Sequence, residues 1–279
     1  MVGVVLISTG VREFALLHRV VVDAGLTPVG YLMSRSLRAR RAADGHAASA
    51  VEQVVRSVPG SVDLVLPADA AGVGRALRGL DADLVVMHGF DWILPRAVFS
   101  LPRLGVLNVH TSALPAYRGP APVLWAIRRG DPTLGVTVHR VDDGVDTGPV
   151  LARETGVPLD DDVSPESLRA RLEPVIARLV RVALDRAVAG DPGEPQGVEG
   201  ASRAGFLEPG FARVDWGRPA REVHDQVRVF RFMGSTTAPV AVIGGREVRL
   251  VRTRLTPGSG VRVECADGPL WIVEAVSAR

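Results

Sequence analysis

The sequence predicts an α/β protein, with a doubly wound and largely parallel sheet followed by a small, mainly β unit. Three observations predict it. From Val2 to Val188 short apolar runs alternate with amphipathic stretches of helical length. At Gly190-Asp191-Pro192-Gly193-Glu194-Pro195-Gln196-Gly197 the composition turns to Pro and Gly. Beyond one further helix, four short apolar runs follow, separated by turns such as Gly244-Gly245.

Each element has its own justification. Val2 to Ile7 is an apolar run ending in Ser8-Thr9-Gly10, as in a buried strand and its turn. Arg12 to Asp23 reads as a helix, Thr27 to Leu32 as a strand and Ala47 to Arg56 as a helix. The alternation continues with strand Val62 to Val65, helix Asp69 to Leu80, strand Asp83 to His88 and strand Gly105 to Val109. Gly135 to Val141 and Pro149 to Glu154 read as strands flanking a loop. Ser164-Pro165-Glu166 starts a helix that runs to Val188, with a capping hydroxyl, a proline in the first turn and an acid at the positive end of the dipole. Pro219 to Arg231 reads as a helix. Val240 to Ile243, Val248 to Arg254, Val261 to Cys265 and Leu270 to Ala275 read as strands. The expected division is 1–189, a linker at 190–203, and 204–279.

Composition limits the function. The chain has 279 residues, 47% hydrophobic and 23% charged, which fits a globular protein. All 33 basic residues are arginine, and the formal net charge is only +2. From Ala204 onward there are 11 Arg against 8 acids. A surplus this thin argues against nucleic acid, and tRNA is not expected as a partner. Cys265 stands alone, so no internal disulfide and no Cys-rich metal site is expected. The first residues read as a strand and not as a signal peptide, and no apolar run spans a bilayer, so a cytoplasmic protein without a membrane partner is expected.

Asn108 is the only asparagine in the chain and stands two positions before His110. Residues two apart at a strand end point to one side. An amide donor beside an imidazole is what holds a developing oxyanion, although an asparagine also satisfies turns. Asp146 lies in a Gly-flanked loop, where function concentrates, and a carboxylate paired with a histidine moves protons near neutral pH. Neither Asn108 to Pro120 nor Gly135 to Gly148 shows a serine or cysteine nucleophile with a local base, so direct transfer is expected. No ligand cluster points to a metal. Other residues carry two readings each. Phe90 and Trp92 flank a ligand or belong to the core. His139 is structural or contacts an acceptor. Ser8-Thr9-Gly10 binds an acceptor or an anion, or makes a turn. The run Arg35-Ser36-Leu37-Arg38-Ala39-Arg40-Arg41 is a solvated face or a ligand contact.

The pattern Asn108-x-His110-x-Ser112-x-Leu114-Pro115, then Arg118-Gly119, Gly135-Val136-Thr137 and Asp146-Thr147-Gly148 resembles the folate-dependent formyltransferases. The resemblance is strongest from Asp83 to Glu154. Phe211-Ala212-Arg213-Val214-Asp215-Trp216 is similar to the start of the C-terminal domain of two-domain members. The resemblance implies a Rossmann-like catalytic domain with a small OB-like domain after it. It implies 10-formyltetrahydrofolate as formyl donor, an amine as acceptor, and Asn108, His110 and Asp146 as the catalytic three. It also implies that His88, Gly89, Phe90, Trp92, Ile93 and Leu94, with Val141, Asp142, Asp143, Gly144 and Val145, hold the pterin. Ser8, Thr9, Gly10, Ser112, Arg118 and His139 are the candidates for the acceptor side. The missing Pro-Ser-Pro-Val-Lys motif of the tRNA enzymes, and the segment Gly89-Phe90-Asp91-Trp92-Ile93-Leu94-Pro95, point to a small-molecule amine. Hydroxyornithine or an amino sugar of secondary metabolism, as in siderophore biosynthesis, is the expected type. A methionyl-tRNA formyltransferase and a non-catalytic folate-binding or scaffold protein are the alternatives.

Overall fold

The computed structural model describes residues 1–33, 46–234 and 238–278. Seven strands form one sheet: β1 (Gly3–Ser8), β2 (Thr27–Leu32), β3 (Asp63–Val65), β4 (Leu84–His88), β5 (Val106–His110), β6 (Thr133–Arg140) and β7 (Val150–Pro158). Their order is β3-β2-β1-β4-β5-β6-β7. The pairs β1–β2, β2–β3, β1–β4 and β4–β5 are parallel, and β6 turns antiparallel to β5. Residues Val4 to Ile7 of β1 are fully buried. A central parallel strand is covered on both faces, which is why its sequence is a continuous apolar run.

Helices α1 (Val11–Asp23), α2 (His46–Ser57), α3 (Ala70–Gly79) and α4 (Arg96–Phe99) connect these strands. In α1 Phe14, Leu17 and Val21 recur on one buried stripe. In α3 the Asp69 carboxylate caps the first turn, accepting from the Gly72 N–H at 2.6 Å. Strand order reverses at β1, because β2 and β3 leave on one side and β4 on the other. The crevice of such a sheet opens at the carboxyl ends of the strands beside that reversal. Ser8 and His88, paired across β1 and β4, end there, and β5 ends at His110 close by in the sheet.

Contacts divide the chain into two units that interleave in sequence. The first holds Met1–Gly119, Gly135–Thr155 and Leu172–Ser202. The second holds Pro120–Leu134, Gly156–Arg171 and Arg203–Arg279. The stretch from Gly190, read as a linker, is bound into the first unit. Glu194 and Val150 exchange two backbone hydrogen bonds at 2.8 Å, and Arg140 donates to the Asp191 carbonyl at 2.6 Å.

In the second unit β8 (Val240–Ile243), β9 (Arg246–Arg254), β10 (Val261–Cys265) and β11 (Gly268–Ser277) form an antiparallel sheet of order β10-β11-β9-β8. Val227, Ala241, Leu250 and Ile272 make its core, with Val214 and Trp216 packed against them. Val227 lies on α7 (Ala220–Met233), which α5 (Pro122–Arg128) packs against. The long helix α6 (Pro165–Val188) starts at Ser164, whose hydroxyl accepts from the Ser167 N–H. The fold class is the one the sequence predicts. The sequence missed α4 and α5, which span four and seven residues, too short to show a helical period. Among the described residues no helix is long and apolar enough to cross a membrane. The run Arg35 to Arg41 lies outside the described residues.

Candidate active site

Strand β5 sends Leu107 and Val109 into the core and presents Asn108 and His110 on the other side. Pairing with β6 sets Asn108 opposite His139 and His110 opposite Thr137. The chain then turns through a loop held from within. The Ser112 hydroxyl donates to the Ala116 carbonyl at 2.6 Å. The Thr137 hydroxyl donates to the Ser112 carbonyl at 2.7 Å and accepts from the Leu114 N–H. Arg153 holds the Leu114 carbonyl. Gly135 permits this packing, since a Cβ there would lie 2.6 Å from the Ala113 nitrogen. Ser112 is fully buried, and its hydroxyl and carbonyl are both engaged in holding the loop.

The loop between β6 and β7 brings in Asp146. Asp142 organises its start, accepting from the Thr147 hydroxyl at 2.7 Å and the Gly144 N–H at 3.1 Å. A Cβ on Gly148 would overlap the Arg140 carbonyl, so the close return toward β6 requires glycine there. Asp146 has φ +53°, a left-handed conformation.

Four groups converge on the Asp146 carboxylate. The Gly119 N–H donates at 2.8 Å. The Asn108 amide donates at 3.3 Å. His110 Nδ1 lies at 3.5 Å and His139 Nε2 at 3.4 Å. Burial pushes the Asp146 carboxyl up, but the His139 contact, the charge interaction with His110 and the Gly119 N–H overrule it, and the group stays below the ordinary carboxylate range. For His110 the balance is reversed. Its burial outweighs Asp146 and the Tyr117 carbonyl, and its imidazole lies below the ordinary histidine range. His110 Nε2 sits 2.8 Å from the Tyr117 carbonyl, which can only accept, so Nε2 carries the proton. His139 Nδ1 donates to the Arg140 carbonyl at 2.8 Å for the same reason. The result is a buried carboxylate between two imidazoles and an amide. Both Asn108 contacts, to Asp146 and to His139 Nε2, are 3.3 Å and long for their kind. The amide can therefore be re-aimed when a stronger acceptor arrives.

The other expected positions separate into distinct places. Phe90 and Trp92 meet edge to face at 5.3 Å and pack against the core of the first sheet, as does Val141. Leu94 is buried in that core, while Ile93 is 73% exposed and Val145 39%. Arg96 and Asp143 pair at 2.5 Å, joining the loop after β4 to the loop after β6. His88 is half-buried, with Nδ1 unpartnered and its imidazole pushed down by burial. Ser8 is fully buried, with its hydroxyl on the Gly10 carbonyl and the Tyr31 hydroxyl. It makes a turn. Arg118 does not reach the carboxylate cluster by its side chain; its guanidinium holds the Gln196 oxygen. Among the described residues no group of His, Cys, Asp or Glu is arranged to hold a metal.

Sequence reasoning missed Gln196, Ser202 and the main-chain groups of Tyr117 and Gly119. Tyr117 and Gly119 act through backbone groups, which carry no side-chain signal, and Ser202 reaches the Tyr117 N–H across 85 residues. Gln196 acts across 48 and 50 residues, and its Pro- and Gly-rich surroundings carry no signal of that reach.

Comparison with known proteins follows the same lines. The methionyl-tRNA formyltransferase of Paracoccus denitrificans is 39% identical over 70% of this chain and 67% of its own length. Others of that name match at 35–38% identity. Among solved structures the chain resembles WlaRD, a sugar 3N-formyl transferase, at TM-score 0.68 and 16% identity, over 100% of this chain and 98% of that one. It also resembles HypX from Aquifex aeolicus, crystallised with tetrahydrofolic acid, at TM-score 0.61 and 19% identity over 99% of this chain. The chain spans 44% of the length of HypX. At such identities the structures show the fold. The sequence relatives overturn the expectation that tRNA is no partner, and they favour the methionyl-tRNA alternative over a small amine. That expectation rested on net charge, which averages over the whole surface and is blind to a local contact area. The formyl transferase family matches residues 4–181, more than half of the sequence, and the chain belongs to that family.

Proposed function

We propose that the protein transfers the formyl group of 10-formyltetrahydrofolate to the amine of methionyl-tRNA. The observation that carries the chemistry is the convergence of Asn108, His110 and His139 on the buried Asp146 carboxylate. The acceptor class rests on the methionyl-tRNA formyltransferases matched over 70% of the chain. The residues present fit a folate. Ile93 and Val145 leave large apolar side chains exposed on the two loops joined by Arg96 and Asp143, and Phe90, Trp92 and Val141 line the core beneath. These loops, 88–95 and 141–145, would hold the pterin. When bound, the folate supplies an activated formyl carbon.

The acceptor must attack as a free amine. His110 enters neutral, takes the amine proton as the new C–N bond forms, and is stabilised as imidazolium by Asp146. The carbonyl oxygen gains negative charge in that step. The Asn108 amide turns from its long contacts to donate to it, a contact worth about 3–4 kcal/mol when removed. The proton then passes from His110 to the departing folate nitrogen as the old C–N bond breaks. No covalent intermediate on the protein is needed.

The test is formyl transfer from 10-formyltetrahydrofolate to charged initiator tRNA, run beside hydroxyornithine and an amino-sugar nucleotide. Formylated methionyl-tRNA is the expected product. Formylation of a small amine with none of the tRNA would overturn the acceptor. Folate binding without turnover on any acceptor would favour the non-catalytic binding protein.

A further inference from the structure

Asp146 and Tyr117 both hold left-handed backbone conformations, with φ +53° and +60°. A non-glycine residue keeps such a conformation only where its surroundings impose it. One side chain contacts both loops. The Gln196 amide nitrogen donates to the Asp146 carbonyl at 3.0 Å and to the Gly148 carbonyl at 2.8 Å. Its oxygen accepts from Arg118 Nε at 3.1 Å and Nη2 at 2.7 Å. Both amide hydrogens and the oxygen are thereby engaged.

Arg118 sits between the two residues that orient the site. Tyr117 precedes it and presents the carbonyl that His110 Nε2 bonds. Gly119 follows it and donates to the Asp146 carboxylate. Ser202 reinforces the same turn, its hydroxyl accepting from the Tyr117 N–H and its carbonyl from the Arg118 N–H, each at 2.9 Å. Residues 196–202 therefore brace the two loops whose spacing fixes the gap between carboxylate and imidazole.

Resting on the formyl-transfer reading above, we propose that Gln196 is a positioning residue: it ties the Asp146 loop to the Tyr117–Gly119 turn and so sets the geometry between Asp146 and His110. The role needs an amide. A carboxylate there would keep the Arg118 contact, lose both donors and turn an oxygen toward two carbonyls. Gln196→Glu thus separates loop positioning from anchoring of Arg118. Gln196→Met removes every hydrogen bond at nearly constant volume.

The experiment compares the full chain with Gln196→Glu and Gln196→Met. It measures kcat, the KM for 10-formyltetrahydrofolate, and the imidazole titration of His110 by NMR, assigned by its loss in His110→Ala. Both variants should lower kcat by about tenfold or more, since misplacing a reacting group by about 1 Å costs up to about a hundredfold. The KM should stay within about threefold. The His110 titration should move to lower pH as the Asp146 charge recedes. Wild-type kcat in either variant overturns the proposal, and so does a fall in kcat with the His110 titration unmoved. If Gln196→Glu does not fold, Gln196→Met decides by the same criteria. A wild-type protein that transfers no formyl group would sink the functional reading alone, because the His110 titration still tests Gln196.

Discussion

Burial pushes the His110 imidazole down while Asp146 and the Tyr117 carbonyl pull it up, and burial wins. The proposed mechanism uses His110 as a base, which would make the neutral form the active one. Its activity is present above its folded pKa and is lost as pH falls through it. The acid limb of kcat should therefore lie below about 6.5, the ordinary histidine value, and a limb at or above that value would remove His110 as the base. Asp146→Asn deletes the charge that raises His110, so the limb should shift further to acid, with kcat down about a hundredfold or more. His110→Ala should cost at least as much while the far-UV spectrum stays native; retention of a tenth of wild-type turnover by either variant would refute the assignment. Asn108→Asp should be worse than Asn108→Ala. The new carboxylate would face Asp146, now 3.3 Å from the Asn108 amide, as well as the developing oxyanion, so equal rates in the two would refute an oxyanion-facing amide. Asn108 and His110 were legible in the sequence because strand geometry puts residues two apart on one side. Residue by residue, Asp146 was legible only as a carboxylate in a Gly-flanked loop, because its partners come from β5, from β6 and from residue 119; the Asp146-Thr147-Gly148 motif singled it out by resemblance. Gln196 was not legible at all, because nothing local in a Pro- and Gly-rich stretch shows that it reaches the Asp146 and Gly148 carbonyls.

Among the elements, α7 carries the most charge into the interior. Arg228 is 1% exposed and pairs with Asp225 at 2.6 Å. It also donates to the Leu159 and Asp160 carbonyls, and so fixes α7 to the start of the turn before α6. Removing one partner of a buried pair strands the other charge, so Arg228→Ala should destabilise the protein by about 3–5 kcal/mol. The paired variant Arg228→Met with Asp225→Leu should cost far less, and equal losses in urea unfolding would show that the pair is not what matters. One turn earlier, His224 bonds the Thr253 hydroxyl and leaves Nε2 without a hydrogen bond, 3.7 Å from Asp161. Burial lowers it to about 4; Asp161 opposes this, and Arg228, Arg221 and Arg231 assist. The unfolded chain takes up that proton near pH 6.5 and the folded one near 4. Stability from this group is therefore intact above pH 6.5 and is lost as pH falls toward 4, by about 3 kcal/mol at most. His224→Gln should flatten that loss between pH 7 and pH 5, and an unchanged slope would place the titrating group elsewhere. The sequence showed α7 as a helix by its period but gave no sign of a buried Arg228, because its partners at 159–161 precede α6.

For the whole molecule, net charge does not decide between methionyl-tRNA and a small amine as acceptor. Several arginines of the second unit face a carboxylate: Arg213 faces Glu247, Arg218 Glu222 and Arg262 Glu264, while Arg231 and Arg252 share Asp162. Among the described residues Arg246 and Arg249 have no acidic partner. Ion pairs on an exposed surface are weak, about 0–1 kcal/mol, so a phosphate can displace a carboxylate where the contact is local. A thin net surplus would then set the salt dependence of the proposed tRNA use and does not argue against it. Each phosphate neutralised adds about 0.7–0.9 to the logarithmic slope. Contacts to on the order of two to five phosphates would give a moderate slope. The value of kcat/KM for methionyl-tRNA should therefore fall with rising salt at a moderate slope. The KM for 10-formyltetrahydrofolate should change less, because the loops proposed to hold its pterin, 88–95 and 141–145, carry no arginine. Measuring both from about 50 to 200 mM salt separates the cases. A slope near zero would mean that tRNA phosphates are not contacted, and would return the acceptor to an amine without a polyanion attached.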